Sequence, residues 1–273
     1  MKIPILLYHS IAQDVAPQYK RWALPPATFS AQMEIVQEQG YTPITASQLV
    51  SAISGKRSKL PDRPVAITFD DGLADFYENA LPILLRMKYP ATLFIVTAYV
   101  GVTSLWLKKE GVSNYAMLDW VQIREIAASG IEIGSHGHSH LQLDTLPLIG
   151  ARDEIVRSQA ILEDRLGRKV DSFAYPYGYY SPAVREILPQ AGYRSGFAVK
   201  HAISSLSDDL FALARIIITA DISADRFCEL LVGAGLRTAP FEERLQTKAW
   251  RAVRRTSTAF KRWMSPENGL TGE

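Results

Sequence analysis

Three short clusters in this 273-residue sequence hold residue types that can do chemistry. The first is Thr68-Phe69-Asp70-Asp71-Gly72. Two adjacent carboxylates before a glycine cannot both enter a core; the plainer alternative is that they sit at a helix N-terminus, where acids are favoured. The second is His136-Gly137-His138-Ser139-His140, which holds three of the chain's five histidines. Histidines four apart share one face of a helical turn, so one metal could join His136 and His140 while His138 points elsewhere. A solvated polar loop is the alternative. The third cluster, Phe173-Ala174-Tyr175-Pro176-Tyr177-Gly178, is an aromatic turn, and by itself a structural turn is its simpler reading. Together the clusters say more. One aspartate with two histidines is a ligand set of the hydrolytic zinc type, with a coordination position left for water. A second aspartate beside that set suits a general base.

Each cluster follows an expected strand, and the elements that position them alternate. Apolar runs predict strands at 4–11, 65–69, 91–97, 131–134, 172–175, 193–199 and 213–219. Helical periodicity and caps predict helices over 29–39, from Thr45 to Ile53, over 74–87, 120–128 and 151–166, from Ser181-Pro182 to Gly192, and from Ser223 to Val232. Repeated strand–helix units imply parallel strands with right-handed crossovers. Seven or eight units suggest a barrel more than an open sheet. All strand C-termini of such a barrel open on one face, so clusters far apart in sequence converge there. The glycine fingerprint of a dinucleotide fold is absent.

Composition bounds the partners. Apolar residues make 47% and charged residues 21% of the chain, ordinary values for a globular protein. The net charge is +2. Eight basic and four acidic residues from Arg237 to Glu273 give that stretch +4, leaving about −2 for the rest, so the body carries no nucleic-acid footprint. The single cysteine, Cys228, reads as a buried structural thiol. The opening MKIPILLYHS lacks a signal-peptide pattern, and no run nears the roughly 18 apolar residues of a membrane span, so a cytoplasmic setting is expected. From Arg244 to Arg262 there are seven basic residues and no acidic one. At about 100° per residue, Leu245, Ala249, Ala252, Val253, Thr256, Phe260 and Trp263 gather on one arc opposite the basic residues. Residues 244–263 thus read as a basic amphipathic helix suited to the surface of an anionic membrane. A helix packed on the barrel is the alternative.

The Thr-Phe-Asp-Asp-Gly, His-x-x-x-His and Pro-Tyr-Gly segments resemble, in order, the successive motifs of the polysaccharide deacetylase family (NodB homology domain, carbohydrate esterase family 4 type). Leu81 to Val96 and Gly130 to Ser135 also resemble it. Leu7-Tyr8-His9, Phe29, Gln32-Met33 and Gly40-Tyr41 resemble its branch acting on poly-N-acetylglucosamine and related exopolysaccharides. The resemblance spans about residues 3 to 235. It implies a deformed (β/α)7 barrel over 1–235, with 236–273 as a helical tail. It implies metal-dependent removal of N-acetyl groups from a polysaccharide, oligosaccharide or lipid-linked glycan, with Asp71, His136 and His140 as ligands of a divalent metal. Zinc is the default; nickel, cobalt and iron suit the same donors. It also implies Asp70 as base and the Tyr177 backbone N–H as oxyanion donor. Tyr175, Tyr177 and Trp106 are candidates for contact with sugar. Two departures stand out. Ala174 occupies the place of an arginine that holds the catalytic aspartate in many members, with Arg215 as a candidate replacement. No late Leu-x-His is evident, which leaves His201 or His9 as candidate acids. A related amidohydrolase or deformylase, and a glycan-binding module that has lost catalysis, are the alternatives.

Overall fold

The computed structural model describes residues 1–55, 59–110, 112–242 and 249–256. Eight short strands build its main sheet: β1 (Ile5–Tyr8), β2 (Thr42–Ile44), β3 (Pro64–Phe69), β4 (Thr92–Ile95), β5 (Glu132–Ser135), β6 (Ser172–Ala174), β7 (Ser195–Phe197) and β8 (Ile216–Ile217). Runs such as ILLY in β1, PVAITF in β3 and TLFI in β4 are buried throughout. Unbroken apolar strands of this kind need cover on both faces, which a parallel sheet wrapped in helices supplies.

All pairings in this sheet are parallel, in the order β7-β6-β5-β4-β3-β1-β8, with β2 beside the first half of β3. A parallel bridge between Phe197 and Leu213 carries the run before β8 back to β7 and closes the ring. The last strand therefore neighbours the first. The expected strands at 193–199 and 213–219 are shorter in the structure because the small ring pairs only a few residues of each. The outer layer holds α1 (Pro26–Glu38), α2 (Ala46–Ile53), α3 (Leu81–Met87), α4 (Trp120–Ala128), α5 (Leu148–Leu166), α6 (Pro182–Ala191) and α7 (Ala224–Leu231). Their ends follow the sequence chemistry: Thr45 and Asp119 form capping boxes, and Ser181 and Ser223 cap α6 and α7. The helix expected over 74–87 is split into a π turn at Phe76–Ala80 and α3, where Pro82 stands in the first turn and cannot donate an N–H.

Strand parity divides the core in two. In β3, Val65, Ile67 and Phe69 face the helices with Phe29, Met33, Leu84 and Ile123. Ala66 faces the barrel interior with Ile5, Phe94, Ala174, Phe197 and Leu213. Side chains alternate across a strand, so Thr68 and Asp70 continue the inward row of Ala66, and Arg215 that of Leu213. His9 likewise follows Ile5. The interior is narrow. A Cβ on Gly134 would lie 2.4 Å from the Phe94 ring, so only glycine fits that inward position of β5. At the opposite end α2 plugs the barrel, with the Ala46 N–H donating to Thr92 Oγ1 at 3.0 Å and the Ser47 N–H to Glu132 at 2.9 Å.

Two further expectations meet the structure. Cys228 is half-buried, because α7 lies on the outside of the barrel. Residues after 235 first pair with the barrel: Ile203 bridges Thr238 in parallel, and Ala239 packs against Ala202 and Ala214. No described helix is long and apolar enough to cross a membrane.

Candidate active site

Asp70 and Asp71 leave the C-terminal end of β3, His136 that of β5, His9 that of β1 and Tyr177 the turn after β6. They meet at one mouth of the barrel, as parallel strands dictate. The inward row brings Arg215, fully buried, against Asp70: Nη1 and Nη2 donate to Oδ1 and Oδ2 at 2.6 and 2.7 Å. Arg215 Nε also donates to the Ala198 carbonyl at 3.2 Å. Burial by itself raises the Asp70 pKa; the Arg215 charge and hydrogen bonds, with His136, outweigh it and hold the carboxyl below its ordinary value. Arg215 thus reaches Asp70 from another strand of the ring than the one that carries Ala174. A fork-to-fork pair this deep has a measurable consequence. Arg215→Met should cost about 3–5 kcal/mol, since it leaves a buried carboxylate uncompensated. The cost should shrink in an Asp70→Asn background. Urea unfolding of the four proteins at equal metal occupancy measures the coupling, and additive effects would mean that the pair contributes nothing.

The backbone at Asp71 is left-handed, with φ 76°, and this turns its side chain off the strand alternation toward the histidines. His140 (φ 57°) and Tyr177 (φ 58°) are left-handed too. Such strain in non-glycine residues costs about 1–3 kcal/mol each and persists where the surroundings dictate it, commonly at functional sites. The expected helical turn over 136–140 is instead a loop, with Gly137 at φ 78°. It is held by Glu154 of α5, whose carboxylate accepts from the N–H groups of His138 and Ser139 at 3.1 and 2.7 Å. His138 turns away, with Nδ1 2.9 Å from Thr97 Oγ1.

One oxygen of Asp71 lies 3.5 Å from His136 Nε2 and 3.2 Å from His140 Nε2. The three donor atoms fall within 4.8 Å of one another, and the three residues are buried. His136 Nδ1 is 2.8 Å from the Ala174 carbonyl; donating there, it presents the Nε2 lone pair inward. Burial pushes the His136 pKa down to about 4, against the raising charge of Asp70, so the ring is neutral near pH 7. Burial by itself raises the Asp71 pKa; the neighbouring His140 outweighs it and holds the carboxyl low. Asp71 Oδ1, the oxygen that both Nε2 atoms approach, is buried without a hydrogen-bond partner. Converging lone pairs with no donor between them are costly unless a cation joins them. The arrangement therefore fits a divalent metal.

His9 is half-buried at the rim, its ring 5.1 Å from that of Trp22, with Nδ1 enclosed and unbonded. Burial lowers its pKa, while the charges of Asp71 and Asp70 raise it. The next turn of chain is pinned by Asp75, which accepts from Ser10 Oγ and the Ile11 N–H and whose burial raises its pKa to about 6. His201 lies elsewhere: it is exposed, its Nδ1 accepts from the Ile217 N–H at 3.3 Å, and it neighbours Arg226. The sequence held a signal for His9. Leu7-Tyr8-His9 is itself a Leu-x-His, and in a closed ring β1 follows β8 in space although it comes first in the chain.

The aromatic candidates separate. The Trp106 and Tyr177 rings lie 5.1 and 4.6 Å from His140, and Tyr177 is 40% exposed, so both wall the mouth. Tyr175 does not. Its ring is fully buried and its hydroxyl donates to the Phe211 carbonyl at 2.8 Å, because parity points it among the outer helices. Tyr115 is a structural pin whose hydroxyl accepts from the Ala16 N–H at 2.7 Å.

Residues 249–256 are helical. Their arginines face the barrel: Arg254 Nη2 donates to buried Asp144 at 2.7 Å, and Arg255 Nε to the Asp144 carbonyl at 2.6 Å. Trp250 and Val253 are exposed instead. The basic face expected to meet a membrane is here turned onto the loop after His140. The rest of 244–263 lies outside the described residues.

A profile of the polysaccharide deacetylase family matches residues 57–196, just over half of the chain. The poly-β-1,6-N-acetyl-D-glucosamine N-deacetylase of Staphylococcus aureus (strain MRSA252) is 27% identical over 214 residues, which cover 75% of this chain and 70% of that protein. The deacetylase PplD of Streptococcus pyogenes, solved in complex with acetate, superposes with a TM-score of 0.73 at 27% identity, covering 85% of this chain and 98% of that one. IcaB of Ammonifex degensii gives 0.72 at 26% identity, covering 85% and 97%.

Proposed function

The chain belongs to the polysaccharide deacetylase family, and on that premise we propose that it hydrolyses N-acetyl groups on the amino sugars of a glycan, with β-1,6-linked N-acetylglucosamine chains as the first substrate class. The observation that carries this reading is the junction of Asp71, His136 and His140, which can hold a cation, with Asp70, which cannot leave Arg215. A divalent metal held by those three ligands, with zinc the default, would supply an acidified water and polarise a carbonyl oxygen.

The chain's own residues do the rest. Asp70, kept ionised by Arg215, accepts a proton from water as it adds to the amide carbon. The Tyr177 backbone N–H, at a left-handed turn 4.6 Å in ring distance from His140, stabilises the oxyanion. His9, half-buried at the rim, delivers a proton to the departing nitrogen from its imidazolium form. The C–N bond breaks, and acetate and a free amine leave. Trp106 and Tyr177 flank the sugar.

Acetate release from N-acetylglucosamine oligomers, β-1,6-linked and β-1,4-linked, tests the proposal, with metal content measured on the same sample. Stoichiometric metal with acetate release is expected. Formate release from an N-formyl sugar in place of acetate would favour a deformylase. Oligomer binding without hydrolysis in the metal-loaded protein would leave a binding module.

A further inference from the structure

His9, the proposed acid, is aimed by its surroundings. Its Nδ1 is enclosed and makes no hydrogen bond, and its ring rests against that of Trp22 at 5.1 Å. The direction of the ring therefore depends on the chain on either side of it. One stretch, residues 70–79, holds that chain, and the same stretch carries Asp70 and Asp71. Before His9, the Tyr8 carbonyl accepts from the Asp70 N–H at 3.0 Å. After it, the Ser10 hydroxyl donates to Asp75 Oδ2, and the Ile11 N–H to Asp75 Oδ1 at 3.3 Å. The Ile11 carbonyl accepts from Asn79 Nδ2 at 2.8 Å. His9 alone lies between the two sets of anchors. Ser10 and Ile11 are fully buried, so water does not replace these partners, and losing one leaves a polar group unpaired.

Local chemistry explains why Asp75 and Asn79 act as a pair. Asp75 opens the π turn over Phe76–Ala80 and Asn79 stands within it, so the two side chains project toward one side of the turn. Pro82 lacks the N–H that an α-helix would return to the Glu78 carbonyl, which favours the wider turn. Turns of this kind are frequent at functional sites. Asp75 does not act on His9 chiefly as a charge. Burial is the largest influence on the His9 pKa, followed by the charges of Asp71, Asp70, Arg215 and His140, and Asp75 is not among them. What Asp75 gives His9 is two hydrogen bonds to the chain that follows it.

We propose that Asp75 and Asn79 are positioning residues for the acid: they hold the Ser10-Ile11 peptide so that His9 presents its ring to the departing nitrogen. Because they lie on the stretch that begins with Asp70, they also fix the acid relative to the base. The inference rests on the assignment of His9 as acid in the deacetylase reading, so its test includes a readout that needs no catalysis.

The test uses Asp75→Ala and Asn79→Leu in the full-length, metal-loaded protein. Asn79→Leu removes a single hydrogen bond, so it keeps the question open to measurement should Asp75→Ala fail to fold. On an N-acetylglucosamine oligomer, kcat should fall at least about tenfold, since a displacement of about 1 Å can cost about 10²-fold. KM should stay within about twofold, because the lost interaction serves the transition state. Metal content should match wild type. So should turnover of an activated acetate ester, whose leaving group needs no proton; a merely structural role would lower both rates together. Asp75→Asn should recover most of the amide kcat, since its Oδ1 still accepts from Ile11 and the Ser10 hydroxyl can turn to accept from Nδ2. The arm without catalysis is a ¹H–¹⁵N correlation spectrum of the histidine rings, with His9 assigned through His9→Phe. In both variants the His9 signals should shift or broaden while those of His138 and His201 stay in place. Unchanged His9 signals in both variants, loss of metal from both, or equal losses on amide and ester would overturn the proposal. If the His9 signals move but the wild type releases acetate from no oligomer, the deacetylase reading fails and the clamp on His9 stands.

Discussion

His136→Ala, His140→Ala and Asp71→Ala should each lose the bound metal and with it acetate release. The reason is the number of donors. Among the described residues, one carboxylate oxygen and two imidazole nitrogens form the candidate site, all within 4.8 Å. Changing a residue that merely orients a ligand costs about 10–100-fold in metal affinity or activity. Removing a ligand should cost more, because two donors cannot hold an open, three-ligand site. His138→Ala is the control. It stands in the same loop but bonds Thr97, so that variant should keep its metal and most of its rate. Metal content by mass spectrometry, with the thermal midpoint as a second readout, decides the matter. A wild-type metal content in His136→Ala or Asp71→Ala would disprove the ligand set. Chelation should abolish activity, and adding back zinc should restore it.

Asp70→Asn should keep the metal and lose roughly 10²–10⁴ of kcat, the range for a positioned general base. Asparagine preserves the shape and one acceptor for Arg215, so the fold should survive while the proton acceptor is gone. A variant with bound metal and near-normal turnover would remove Asp70 from the mechanism. His9→Phe completes the argument. It too should retain metal and lose kcat on the sugar amide, where the nitrogen must be protonated to leave. On an activated acetate ester, whose leaving group needs no proton, His9→Phe should regain most of the wild-type rate and Asp70→Asn should not. His201→Phe should behave as wild type on both substrates, since it is exposed and neighbours Arg226 rather than the metal-ligand candidates. Equal losses for His9→Phe on amide and ester would make His9 a structural residue.

Much of this molecule is legible one residue at a time. The unbroken apolar runs, the caps at Thr45, Ser181 and Ser223, and the alternation of units carry the barrel, because each rests on local chemistry or simple periodicity. The metal-ligand candidates are legible as well: two histidines and an aspartate at strand ends have few other uses. What the linear chain conceals is closure. Nothing local says that the run before β8 returns to β7 and that β8 then lies against β1; the ring alone makes the Leu-x-His at the front of the sequence equivalent to one at its end. Arg215 is a candidate in the sequence, but its pairing with Asp70, 145 residues away, is made only by the fold. Given the strands, inward parity at both positions puts the two in one narrow interior, and burial makes their pairing obligatory. Tyr175 fails as a substrate contact by the same parity, one residue from inward-facing Ala174. The tail follows the same division. Its amphipathic period is written in the sequence, but which face turns inward depends on Asp144, a buried carboxylate that requires cations and draws Arg254 and Arg255 onto the loop behind His140. Composition and period determine what each segment can be, whereas the partners of a buried charge depend on which strands the closed barrel makes neighbours.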